Sequence, residues 1–338
     1  MNTILSTISD ISSFFNTLKN EIGGSLTSSQ TEYTLELDKN VGNGSIRSIQ
    51  LDGGISVLEF NLTMTQDLQI VVSSLLATHV NFMYCSKGKL AHSFDTSDAI
   101  NMIETFQTSI LTNIVSTRNT IHLEKDVQTV ATLITVNTAF EGNQNSEWNI
   151  GLKNLFIENK SDDYLYIGSY NLKIAENIKQ LRAIQQKGLV RALMMKGIVN
   201  IILALEIEHH NNDMENSDTA SLSLTKSEIV SIKELTDYID ENPDLDHKVD
   251  NLTNRLGLSA AKLQEGIKFL HDLTVCEYIR YVRLTKSEEL ISNTDLNISE
   301  IVYSLGFTSR SYFSKIFRER FNCSPSDYKR KNKLAVSA

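Results

Sequence analysis

The chain has 338 residues, 41% of them apolar and 22% charged, with a formal net charge of −9 and three cysteines. That length suits two domains with cores of their own, and the composition excludes disorder as the default state. Cys85, Cys276 and Cys323 are far apart and odd in number, which excludes a disulfide framework and a structural zinc site.

The opening "MNTILSTISDISSFF" lacks a basic stretch and is interrupted by Asp10, so no signal peptide is expected. No apolar run reaches the roughly 18 residues of a membrane span, so no membrane partner is expected either. Few cysteines and no targeting segment fit a reducing cytoplasm. Residues 1–30 show no clear period. From about 31 to 140 the pattern is strand-like: "ISVLEFNLTM" alternates apolar residues at Leu58, Phe60, Leu62 and Met64. "NFMYCSKGKLAHSF" breaks at Lys87-Gly88 and predicts a hairpin, and "TVATLITVN" adds a β-branched run. Many short strands with turn signals suggest a small barrel or jelly roll.

The period then lengthens. Ile174, Ile178, Leu181 and Ile184 recur at helical spacing, and a Lys187-Gly188 break leads into "LVRALMMKGIVNIILALEIEHH". The two runs predict a helical hairpin over about 172–209. In the second run Leu193, Met194, Ile198, Ile201, Ile202 and Leu205 spread over more than one stripe, so a second copy of the helix, and hence a homodimer, is expected on the surplus face. The polar stretch 210–227 reads as a linker, with His209 and His210 solvated at its start. The expected domains are therefore 1–209 for sensing and dimerisation, 210–227 as linker, and an all-helical 228–335.

Two segments of the last part repeat one plan: "LTNRLGLSAAKLQEGIKFL" from Leu252 and "ISEIVYSLGFTSRSYFSKIFRERF" from Ile298. In each a short helix ends at Gly257 or Gly306, a C-terminal position that favours the left-handed conformation. Ser259 or Ser309 then caps a second helix. Leu263 and Ile267 in the first copy match Phe313 and Phe317 in the second, four apart on a buried face. Helix, glycine turn, helix is the helix-turn-helix plan, and two copies joined by "VCEYIRYVRLTKSEELIS" are far more specific than one.

With "YIRYVRL" before the second copy and "SPSDYKR" after it, the last third of the chain resembles the double helix-turn-helix domain of AraC/XylS-type transcription regulators. Departures are Ile267 for a usual Phe, His271 and Asn322 for usual Gly, Val302 for a common Ala, and Glu265 where basic residues often face DNA. The resemblance implies an α+β, two-domain protein: an N-terminal cupin-like β-barrel with a helical hairpin, then the all-α domain. It implies promoter DNA and RNA polymerase as partners, an activator, and a possible small-molecule effector.

The charge distribution agrees with such a partner, because residues 303–338 hold eight Lys or Arg against two Asp or Glu in an acidic chain. After the Ser309 cap, Arg310, Ser311, Ser314 and Lys315 are expected to meet base edges. Arg318, Arg320, Lys329 and Arg330 are expected on phosphates. In the first copy the corresponding candidates are Lys262, Gln264 and Lys268, beside Ala261. Phe307, Phe313, Phe317 and Phe321 are spaced as core. His79, His92 and His122 form no metal-binding pattern, Trp148 and Tyr164, Tyr166 and Tyr170 read as packing, and no ligand-binding residue is assigned. No metal, cofactor or enzymatic activity is expected, since the cysteines lack activating company. Control by a protein partner or by abundance, without a small effector, is the alternative reading.

Overall fold

Leu58, Phe60, Leu62 and Met64 alternate along one strand, and all four are buried in a single apolar core. The computed structural model describes residues 2–7, 11–73, 78–141, 146–215, 224–271 and 273–336, and its contacts divide the chain into two units, 1–219 and 220–338.

The first unit begins with β1 (Asn2–Thr7), α1 (Ile11–Ile22), β2 (Ser25–Ser28), β3 (Glu32–Glu36), β4 (Gly42–Leu51) and β5 (Ile55–Met64). There follow β6 (Leu68–Ser73), β7 (His79–Lys87), β8 (Lys89–Phe94), β9 (Asn101–Glu104), β10 (Gln107–Thr112), β11 (Arg118–Leu123) and β12 (Gln128–Asn137). It closes with α2 (Glu147–Phe156), β13 (Tyr164–Tyr170), α3 (Leu172–Ala183) and α4 (Gly188–Glu215). The strands pair as two sheets, β1-β6-β11-β8-β9 and β13-β10-β7-β12-β5-β4-β3-β2. Their facing sides share one core, which Phe14, Phe15, Leu18 and Ile22 of α1 help to fill. The N-terminal residues, which show no period, are thus part of the interior; each such large side chain contributes roughly 1.5–3 kcal/mol by its burial.

The break at Lys87-Gly88 is not a hairpin. β7 belongs to the eight-stranded sheet and β8 to the five-stranded one, so the chain changes sheets there. Gly88 has φ +73°, and a Cβ on it would lie 2.2 Å from the Gln128 carbonyl oxygen. A glycine that permits close backbone approach at a corner has the same local signature as one in a tight turn.

The other side of the eight-stranded sheet carries α2, α3 and α4. Phe156 of α2 packs edge-on against Phe82 of β7. Arg182 of α3 donates to Glu59 of β5 at 3.1 Å, a buried acid that also accepts from Arg47 at 2.7 Å. Arg191 of α4 donates to Glu32 of β3 at 2.6 Å and 3.0 Å, and to the Ile184 carbonyl. The predicted linker does not begin at 210: α4 continues to Glu215, and His210 is buried, with its Nε2 2.7 Å from the Tyr164 hydroxyl. Asp213 accepts from the Tyr166 hydroxyl at 2.6 Å and from Ser169 N at 3.0 Å. The polar composition that suggested solvation is instead a hydrogen-bonded seam with β13. Residues 216–223 of the predicted linker lie outside the described residues, and its last two, 226 and 227, already belong to a helix of the second unit.

The 28 residues of α4 are, by length and composition, apolar enough to cross a bilayer, although no unbroken apolar run of that size stands in the sequence. One face of the helix is nevertheless packed within the unit through Met195, Val199, Ile202 and Leu203. His92 and His122 sit on neighbouring strands but opposite faces: His92 pairs in register with Ile121, inside, and His122 with Ala91. Burial holds the His92 imidazole down at about 4, so it is neutral, with Nε2 2.9 Å from Asn119.

The second unit is α5 (Lys226–Glu241), α6 (Val249–Leu256), α7 (Ala260–His271), α8 (Val275–Asn293), α9 (Ile298–Ser304), α10 (Arg310–Phe321) and α11 (Pro325–Val336). Thr225/Glu228, Thr274/Glu277 and Asn297/Glu300 form reciprocal capping boxes at the starts of α5, α8 and α9. Each satisfies two otherwise orphaned N–H groups, and losing the cap residue costs about 1 kcal/mol.

Candidate nucleic-acid interface

Helices α6 and α7 form one turn-helix unit and α9 and α10 a second, with α8 running between them. The turns are set by Gly257 (φ +65°) and Gly306 (φ +71°), both left-handed. Ser259 accepts from Lys262 N at 3.3 Å, and Ser309 accepts from Tyr312 N at 3.2 Å, so both expected caps are made. The second unit closes on Phe313 and Phe317, both fully buried, with Ile301, Val302, Leu305 and Phe307 around them. In the first, α7 buries Leu263, Gly266, Ile267 and Leu270; a Cβ on Gly266 would lie 2.3 Å from Ile232 of α5. That close fit brings α7 flush onto α5.

Opposite the buried face of α10 lies a solvent-exposed ridge of Ser311, Lys315 and Arg318, with Arg310 at its N-terminal end and Ser314 half-buried on its flank. Lys315 is 75% exposed and 4.0 Å from Glu319, a distance at which its ammonium stays hydrated. Arg310, Lys329 and Arg330 line one concavity together with Asn297, Ser299 and Ser326. Within it Lys329 donates to the Asp295 and Leu296 carbonyls, and Arg330 pairs with Asp327 at 2.9 Å. The corresponding ridge on α7 is Ala261, Glu265 and Lys268, of which Ala261 and Lys268 are exposed and Glu265 is half-buried.

Two expected first-copy residues are engaged inward. Lys262 binds Glu228 at 2.6 Å, and that bond, followed by those from Thr225, draws the Glu228 carboxyl below its usual range. The Gln264 amide oxygen accepts from Val275 N at 3.3 Å, at the start of α8. Arg320, expected on phosphate, lies over the Tyr281 ring at 4.2 Å and donates to Tyr281 O and Thr285 Oγ1 of α8. The structure therefore brings together the α10 ridge with Arg310, Lys329 and Arg330, and separates Lys262, Gln264 and Arg320 from it by their own partners. Sequence spacing misses Tyr312, 45% exposed beside Ser311, and Tyr303, 62% exposed on α9. Their positions off the Phe313/Phe317 stripe were the available signal.

A family model described as a helix-turn-helix domain matches residues 252–331. The regulatory protein SoxS of Salmonella typhimurium is 34% identical over 98 residues, covering 29% of this chain and 92% of SoxS. Histidine kinase P4 of Formosa agariphila is 23% identical over 270 residues; the match takes in 77% of this chain but spans only 17% of the kinase. Among solved structures, the DNA-binding domain of AdpA in complex with a target DNA is 18% identical, covers 31% of this chain and 95% of that one, and has a TM-score of 0.30.

Proposed function

This chain belongs to the AraC/XylS-type family of transcription regulators, and we propose that it is a sequence-specific, ligand-responsive activator acting on promoter DNA in the cytoplasm. The observation that carries the reading is the pair of capped turn-helix units on one connecting helix, the second exposing a basic ridge. In this reading Arg310, Ser311, Ser314 and Lys315 enter the major groove, where Arg and Lys donate to guanine O6 and N7 and Ser serves either base type. Arg318, Lys329 and Arg330 contact phosphate and set register. On α7 the role falls chiefly to Lys268, because Lys262 and Gln264 reach DNA only by leaving their present partners.

The N-terminal unit, in this reading a cupin-like barrel with a helical hairpin, receives the effector and dimerises through the outer face of α4. Two facing sheets around one core support the barrel. The exposed Leu189, Val190, Leu193, Met194 and Ile201 support the dimer. The effector and an RNA polymerase contact rest on family membership. The segment after the linker, 228–335, is the DNA-binding domain.

The test is selection of duplexes from a random library by the full chain, followed by gel shift across a salt series. An enriched duplex should be bound with an affinity that falls steeply with salt, since each phosphate contact adds about 0.9 to the log–log slope. No enrichment at low salt would sink the reading.

A further inference from the structure

Arg283 stands at the middle of α8, with its half-buried guanidinium directed at both turn-helix units. Its Nε donates to Pro243 O at 2.8 Å and its Nη2 to Leu245 O at 2.9 Å, in the loop that leads into α6. Its Nη1 donates to Gly306 O at 3.1 Å, in the turn that aims α10, and the group lies 5.8 Å from the Phe307 ring centre. Burial lowers its pKa, and the nearby Asp246 and Asp244 offset part of that desolvation. A cation held by three carbonyl oxygens in a planar fork is a geometric device, because a guanidinium fixes the directions of its donors.

Both ends of this fork are stiff. On the first side His247 Nε2 bonds the Asn242 carbonyl at 2.6 Å, Leu245 N donates to Asn242 O, and the His247 ring meets Tyr238 edge-on. Arg255 of α6 covers the Tyr238 ring at 3.8 Å, so the loop moves with the first unit. On the second side Phe307 is buried against Phe313, the anchor of α10. The two surfaces also touch: a Cβ at Gly306 would lie 2.7 Å from Asp244 O and 3.0 Å from Arg283 Nη2. The helix α8 sets the distance between the units along its axis. Their packing on α8, together with contacts of this kind, fixes their rotation about that axis.

We propose that Arg283 is a positioning residue for DNA binding, whose fork sets the angle between the two turn-helix units so that both recognition helices fit one DNA only at one spacing. The proposal rests on the DNA-binding reading above and adds to it a geometric rule. Two linked modules gain on the order of a hundredfold in affinity when both sites are in reach, and lose it when geometry forbids double engagement. Inserting about five base pairs between the two stretches of DNA that the recognition helices would occupy turns the second by half a helical turn.

The experiment uses the full chain, a half-site duplex selected by the wild type, and the same duplex carrying that insertion. The readout is the ratio of the two dissociation constants. A partly unfolded variant raises both constants by one factor, so the ratio is unaffected by stability alone. The wild type should show a ratio on the order of a hundred. Arg283→Lys, which keeps the charge but not the fork, and Arg283→Ala should bring it below about ten. Gly306→Ala, which wedges a methyl into the loop–turn contact, should shift it the same way with Arg283 intact. Variants that bind with the wild-type ratio overturn the proposal, as does a wild type indifferent to the insertion. A wild type that selects no duplex at all fails the DNA-binding reading instead.

Discussion

Lys262 and Lys315 lie on two similar helices, the first half-buried and the second exposed, and their ammonium groups differ in availability. Lys262 is bound to Glu228 at 2.6 Å, whereas Lys315 is 75% exposed. Arg310→Ala and Lys315→Ala should each reduce discrimination between the selected site and its single-base variants by roughly 1–3 kcal/mol in competition binding. Lys262→Ala should change it by less than about 0.5 kcal/mol; a Lys262 effect as large as that of Lys315 would show that the Glu228 pair opens on DNA. Glu206 poses a different question at the same scale. It is fully buried on α4, accepts a hydrogen bond from Thr108, and burial pushes its carboxyl up to about 8. Burial raises the pKa values of Tyr84 of β7 and Tyr166 of β13, and the Glu206 charge, after that of Asp213 in the case of Tyr166, raises them further. The folded state keeps this proton above the ordinary carboxylate value of 4.5, where the unfolded chain releases it. Stability therefore falls as pH rises from about 4.5 to about 8, by up to roughly 1.4 kcal/mol per unit. Glu206→Gln should flatten that slope in thermal melts and leave the protein more stable at pH 8; parallel wild-type and variant profiles would refute it.

At the scale of elements, α4 is the helix whose two faces have different fates. Met195, Val199, Ile202, Leu203, Glu206 and His210 are buried, while Leu189, Val190, Leu193, Met194 and Ile201 are exposed. Of the six residues that suggested a surplus face from sequence, Ile202 belongs to the interior. Leu193→Glu and Ile201→Glu should give folded monomers by light scattering at micromolar concentration. Ile202→Glu should unfold the unit, because an unpaired buried charge costs several kcal/mol. Elution of Ile201→Glu at the wild-type size, with the wild type a dimer, would place the dimer seam elsewhere. The helix periods at 172–209 were legible because apolar residues recur every three or four positions. The depth to which each face is covered was not, since it depends on β7, β10 and β13, strands distant in sequence.

On the scale of the whole chain, the sequence divides its charge as it divides its structure, with the basic excess of 303–338 lying entirely in the second unit. The segment 227–338 should therefore bind the selected duplex without the rest of the chain, with a salt slope similar to that of a full-length monomeric variant such as Ile201→Glu. A segment that folds, by circular dichroism, but does not bind would assign part of the interface to the first unit. The sequence by itself determined the double turn-helix plan: Gly257, Gly306, Ser259, Ser309 and the Phe313/Phe317 pair act through local geometry and a short-range period, which survive in one dimension. It determined strand content in the same way, through alternation. Tertiary structure decided that Gly88 turns a corner between sheets, that α1 fills the core, and that His210 closes a seam. It also decided which cations remain exposed: Lys262 is drawn onto Glu228 of α5 and Arg320 onto Tyr281 and Thr285 of α8, while Lys315 and Arg318 stay on the solvent side. Each of these depends on a partner brought in from a distant part of the chain, and hydrogen bonds and burial at long sequence separation leave no period to read.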